Sequence, residues 1–234
     1  MNDYRKRGKM KKILIVLTNT THYGDTNDAT GLWLGEATEF IDVVNQAGYQ
    51  VDYVSPQGGF VPLDPRSMKY TDAASMARYN SDDFQQRALT HSQAPASIDP
   101  TEYIAIYYTG GHGVMWDFPD NTELQTITQS ILAQGGYATS VCHGIAGLLN
   151  VKDSDGQYLI SGRNVTGFTT AEEILAGKRK VVPFLNQTVA TKHGANFKRR
   201  RAYAEYAVQD GQLITGQNPF SAKAVANLLI KTLN

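Results

Sequence analysis

Cysteine is almost missing from this chain: Cys142 is alone among 234 residues. An internal disulfide is thereby excluded, and a lone thiol fits a reducing cytosol. No sign of charge dominates either, because Lys+Arg and Asp+Glu both total 22. That balance supplies no overall field to hold nucleic acid or an anionic membrane. Long apolar runs are absent as well. Ile13–Leu17 is too short for a signal-peptide core and no stretch approaches a membrane span. His22, His91, His112, His143 and His193 are scattered, without paired-histidine or Cys-x-x-Cys spacing, so spacing predicts no metal. Neither Gly-x-x-x-x-Gly-Lys nor a Gly-x-Gly-x-x-Gly after the first strand is present, and no cofactor is expected. The one basic run, Phe197–Arg201, reads as a solvated face. These exclusions leave a soluble, cytoplasmic protein that binds neither nucleic acid nor membrane.

What is present is an alternation of strands and helices. Lys12–Thr18 is an apolar run suited to a strand buried on both faces. Leu34, Ala37, Ile41, Val44 and Ala47 then recur at helical spacing and stop at Gly48. Gln50–Ser55 is a second strand, so the first sixty residues form a right-handed βαβ unit. Glu102–Tyr108 and the segment before Cys142 are further strands, with an amphipathic helix at Thr122–Gln134 between them. Tyr158–Val165 and Asn164–Thr169 are strand-like, Glu205–Gly216 is a hairpin turning at Asp210-Gly211, and Ser221–Leu233 closes the chain as a helix. Residues 58–100 break this rhythm with Pro62, Pro65, Pro95 and Pro100, plus helical patches at Thr71–Tyr79 and Ser81–Thr90. They are expected to form a small inserted cap. The fold class is α/β: a doubly wound, mostly parallel, flavodoxin-like sheet flanked by helices. Residues 10–234 make a single domain after a disordered extension, 1–9.

Ser140, Cys142 and Gly144 give the small-x-nucleophile-x-small pattern of a nucleophile elbow, a sharp strand-to-helix turn that only small neighbours permit. A helix beginning just after the sulfur aims free amides at it, which predicts an acid-shifted thiol. Gly110-Gly111-His112-Gly113 follows another strand, so its backbone can approach a bound oxygen, with the Gly111 and His143 amides as oxyanion donors. His143 is the candidate base, and triad logic asks for a carboxylate to orient it, supplied by Glu172 or Glu173. Glu36 interrupts an apolar helix face. It is either a buried carboxyl with raised pKa that shuttles protons or a surface charge.

These motifs, together with Thr30–Ala37, Val61–Pro65, Gly110–Pro119, Val165–Thr169 and Leu213–Pro219, resemble the DJ-1/PfpI superfamily. The likeness is to its branch of Hsp31-like proteins and glutathione-independent glyoxalases, and it covers nearly the whole chain. The resemblance implies the class I glutamine amidotransferase-like fold, with Cys142 as nucleophile, His143 as its partner and Glu36 against the sulfur. It puts the acid at Glu173, with Glu172 left open by the local spacing. It implies cofactor-free conversion of methylglyoxal to lactate, a small aldehyde as substrate and a homodimer. His193-Gly-Ala195 lacks the His-x-Glu of the amidotransferase relatives, which disfavours glutamine hydrolysis. The alternatives it carries are a holding chaperone or protein deglycase, and a cysteine peptidase or amidase.

Overall fold

Residues 12–234 are described in the computed structural model; the expected extension at 1–9 lies outside them. In chain order the framework is β1 (Lys12–Val16), α1 (Leu34–Gln46), β2 (Gln50–Val54), α2 (Ala73–Tyr79), β3 (Tyr103–Tyr108), α3 (Val114–Asp117) and α4 (Thr122–Ala133). It continues with β4 (Tyr137–Val141), α5 (Ala146–Leu149), β5 (Asn164–Val165), α6 (Thr170–Leu175) and α7 (Asn186–Lys192). The last elements are β6 (Asn196–Phe197), β7 (Ala207–Asp210), β8 (Leu213–Gly216) and α8 (Ala222–Leu233). The main sheet has the order β2-β1-β3-β4-β8-β7. Every pairing in it is parallel except β7 with β8, the hairpin turning at Asp210-Gly211.

The apolar run of β1 is buried on both faces because helices cover both sides of the sheet. On one side Phe40 of α1 stacks on Tyr107 of β3, ring centroids 3.6 Å apart, and α8 packs beside α1. On the other, Leu124, Ile127 and Ile131 of α4 join Ile106 and Ala138. Helix α1 stops where the glycine predicts: Gly48 takes φ +86, and the Gly48 and Tyr49 amides cap the carbonyls of Asn45 and Val44.

The chain crosses from β1 to β2 on one side and to β3 on the other. Such a switch point opens a crevice at the carboxyl ends of β1 and β3. Segment 58–100 starts beside that end, where Asn19, just past β1, donates to the Gly58 and Phe60 carbonyls. It carries a 3-10 turn Ser67–Tyr70, α2 and a π-helical turn Phe84–Thr90. Buried Phe84 meets Tyr53 edge-on, and Arg78 donates to Asp42 of α1, so the segment packs directly on the core.

Two strand expectations need correction. Tyr158–Val165 is mostly turns; only Asn164–Val165 is extended, and it pairs with β6 in a separate two-stranded sheet. Val165 is also where the next expected strand stops. Beyond it, Thr166 N–H bonds to the Thr215 hydroxyl and Phe168 N–H to the Cys142 carbonyl. Apolar composition suggested strands here, but the edge of the main sheet beside β8 is already taken by β7.

Candidate active site

Cys142 stands at the end of β4, where the backbone reverses into the 3-10 turn Cys142–Ile145 and then α5. Its φ is +57, one of two positive values among the described non-glycine residues. That conformation costs about 1–3 kcal/mol. A Cβ at Gly144 would lie 2.3 Å from the Tyr108 carbonyl oxygen, which is why the elbow needs a glycine two residues on. The turn swings His143 back, so that its Nδ1 lies 3.3 Å from the Cys142 sulfur. Phe168 covers the imidazole, ring centroids 4.2 Å apart.

Glu173, not Glu172, meets the histidine: its Oε2 accepts from His143 Nε2 at 2.9 Å. Its other oxygen accepts from His112 Nε2 at 2.8 Å, so two imidazoles clasp one carboxylate. Glu172 is occupied elsewhere. Its Oε2 accepts from Thr169 N–H and hydroxyl, and its Oε1 from Tyr203 N–H and the side chains of Gln217 and Asn218. The Thr169-x-x-Glu172 capping box holds Glu172 at the helix start, a pattern in the sequence that could have separated the two acids. His112, expected among the oxyanion and substrate-binding groups, lines the cavity over Cys142 and sits beside His143, ring centroids 4.0 Å apart. Nothing in its own spacing announced that position.

The protons follow from these contacts. Burial opposes ionisation of Glu173, but His143 and His112 together hold its carboxyl well below the usual carboxylate range. Burial and the neighbouring His143 push His112 down to about 4, against the pull of Glu173. A neutral His112 that donates from Nε2 leaves Nδ1 bare, and Arg66 Nη2 is 3.2 Å from it. Arg66 is itself held by Asp64, through Nε to Oδ1 at 2.9 Å. With its Nε2 engaged by Glu173, His143 turns Nδ1 toward the sulfur.

Glu36 is fully buried in the first turn of α1. Burial raises its pKa well above the ordinary value, against the Cys142 thiol and the Gly110 amide, its nearest polar neighbours. Neither carboxyl oxygen finds a well-formed hydrogen bond, so the group carries its proton with no fixed acceptor. Glycine is required at 110, where a Cβ would stand 2.3 Å from Glu36 Oε2 and 3.0 Å from the Cys142 Cβ. Gly111, at φ +100, packs so closely on Gly31 that a Cβ would fall 2.1 Å from its carbonyl oxygen. Among the described residues no acceptor meets the Gly111 N–H, while the His143 amide points at the Cys142 sulfur.

The expected acid-shifted thiol is a correction. Burial pushes the Cys142 thiol up, the Glu36 carboxyl adds to that, and the His143 amide offsets only part. A four-residue 3-10 turn and a four-residue helix give too small a dipole to win. Sulfur, imidazole and carboxylate are thus arranged for proton transfer during attack, not for a standing thiolate.

His112, His143 and Glu173 also bring three potential ligand atoms within 4.8 Å of one another, a grouping that spacing alone could not show. Here both Nε2 atoms spend their protons on the carboxylate, so a metal would have to displace two hydrogen bonds. His193 is not part of this grouping. It stacks on Tyr158 with centroids 3.6 Å apart, and its Nδ1 contacts the Leu149 carbonyl at 2.8 Å.

Two outcomes follow from this clasp. Glu173→Gln presents an amide that cannot accept from both imidazoles, so His143 loses its orientation. Turnover should fall by about 10²–10⁴-fold, read as kcat on a 2-oxoaldehyde. His112 gives a stability test. Its folded pKa lies below its unfolded value of 6.5, so its contribution is complete above that value and is lost as pH falls toward about 4. The loss is on the order of 3 kcal/mol, and urea midpoints of His112→Gln should fall less steeply over that window than those of the wild type.

The fold is a doubly wound, mostly parallel α/β sheet with a cysteine at a sharp strand-to-helix turn, beside an imidazole and a buried carboxyl. Residues 29–232 match the DJ-1/PfpI family, and the chain belongs to it. It is 32% identical over 229 residues to the glutathione-independent glyoxalase HSP31 of Saccharomyces cerevisiae, covering 92% of this chain and 95% of that one. Among solved structures, Rapid Encystment Protein 24 kDa of Francisella tularensis superposes with TM-score 0.92 at 35% identity, covering 96% of this chain and all of that one. Glyoxalase III of Candida albicans gives 0.86 at 29% identity, covering 95% and 97%. No helix among the described residues is long and apolar enough to cross a membrane.

Proposed function

We propose that this protein is a cysteine-dependent, glutathione-independent glyoxalase that converts methylglyoxal and related 2-oxoaldehydes to 2-hydroxy acids. The observation that carries this reading is Cys142, which lines one cavity together with His143 and has the buried, proton-bearing Glu36 beside its thiol. The names of the similar yeast proteins support it.

The sulfur adds to the aldehyde carbon while its proton passes to His143 Nδ1 and on to the aldehyde oxygen, giving a hemithioacetal. The free Gly111 amide supports that oxygen. His143 then removes the former aldehyde proton as Glu36 gives its own to the ketone oxygen, and an enediol forms. His143 returns its proton to the second carbon, Glu36 recovers one from the first oxygen, and a thioester of the 2-hydroxy acid results. Water hydrolyses it and the thiol is restored. The aldehyde carbon is oxidised and its neighbour reduced within one molecule, so no cofactor enters the balance. Glu173 stays ionised throughout and steadies the imidazolium. This is lyase chemistry of the D-lactate dehydratase type. A cytoplasmic homodimer belongs to the same reading, and sedimentation tests the assembly.

Incubation with methylglyoxal and no glutathione should yield D-lactate; absence of any lactate would remove the proposal. A holding chaperone is the second reading, favoured by exposed Tyr70, Leu175 and Phe220. Suppression of client aggregation that survives in a variant without turnover would support it.

A further inference from the structure

The cavity over Cys142 measures about 530 Å³, far more than the proposed reaction needs. Methylglyoxal fills on the order of 100 Å³, judged from the ~30 Å³ share of one water. Pockets of ~300–1,000 Å³ ordinarily enclose much larger ligands. The excess lies between aromatic walls. Trp33 and Tyr70 stand on one side with ring centroids 5.6 Å apart and tilted by 33°. Tyr203 and Phe220 stand on another, edge to face at 6.4 Å. Faces of this kind receive a flat ring or a broad apolar group.

The charge of the lining is one-sided although the chain is neutral overall. It carries Arg66 and Lys69 and, among the described residues, neither aspartate nor glutamate. Arg66 is tied to Asp64 and Tyr23, whereas among the described residues no acidic partner meets exposed Lys69. Building on the glyoxalase reading, we propose that this cavity selects 2-oxoaldehydes whose substituent is an aromatic or similarly broad apolar group ending in an anion. The reacting carbon rests at Cys142, the ring lies between the aromatic walls, and the anion meets Lys69. The chemistry is the same internal redox shift, with one water consumed.

The test compares kcat/KM for methylglyoxal, phenylglyoxal and 4-carboxyphenylglyoxal in short assays, with 2-hydroxy acid as the product measured. Phenylglyoxal should exceed methylglyoxal by about tenfold. The carboxylate should add about threefold at low salt, shrinking as salt shortens the range of the field. In Lys69→Gln the ratio of the two aromatic probes should drop to about one, and Trp33→Ala should lower phenylglyoxal relative to methylglyoxal. Turnover of methylglyoxal equal to or better than that of the aromatic probes would overturn the selectivity while leaving the glyoxalase reading intact. A carboxylate advantage that is absent, or that survives Lys69→Gln, would do the same. No 2-hydroxy acid from any of the three would overturn both.

Discussion

Cys142→Ser should lower methylglyoxal-dependent lactate formation by roughly 10³-fold or more. A hydroxyl in this position faces the same His143 Nδ1 across 3.3 Å, but it is a far weaker acid and nucleophile than a thiol. The covalent addition that starts the sequence is then lost. The fold should survive, because serine is close in size and the strained backbone at φ +57 is set by the elbow and not by sulfur. Near-UV circular dichroism and the urea midpoint check this on the sample used for lactate detection. A folded variant with more than a tenth of the original rate would rule out attack by this sulfur.

Glu36→Gln should cost about 10²–10⁴-fold in kcat, the usual worth of a positioned general acid or base. The amide has nearly the shape of the acid and is neutral like its protonated form, but it has no proton to transfer. Its effect on stability separates this role from a packing role. Burial raises the folded pKa of Glu36, so its stabilising protonated state is complete below the unfolded value and is lost as pH rises through the folded one. The glutamine variant escapes that loss and should be the more stable protein at alkaline pH. It should also alkylate with iodoacetamide at lower pH than the wild type, because part of the upward push on the Cys142 thiol comes from the Glu36 carboxyl. An unchanged kcat would exclude Glu36 from proton transfer, whatever happened to stability.

Much of this site is local and therefore visible in one dimension. The alternation of small residues around Cys142 forces an elbow wherever the strand ends, and three strand ends of a parallel sheet must share one edge. Glu36 stood out as a carboxyl on an otherwise apolar helix face, which left inward and outward readings open. The structure turns it inward because Ala37, Phe40 and Ile41 commit the same side of α1 to the core. The acid proved harder. Successive residues on a helix point about 100° apart, so the choice between Glu172 and Glu173 depends on how α6 is rolled against the elbow. The capping box at Thr169 fixes that roll, and Glu172 reaches Gln217 and Asn218 while Glu173 reaches the two histidines.

By itself, then, the sequence determined the layered α/β architecture, the elbow and the set of groups able to do chemistry, because each of these depends on neighbours within a few residues. Only the tertiary structure decided that His112 shares Glu173 with His143, that Val165 leaves the main sheet, and that the thiol is pushed up in place of down. Those outcomes depend on burial and on contacts across 30 or more residues of chain, such as the 61 positions between His112 and Glu173. Desolvation is a property of everything packed around a group, and no spacing of letters records it.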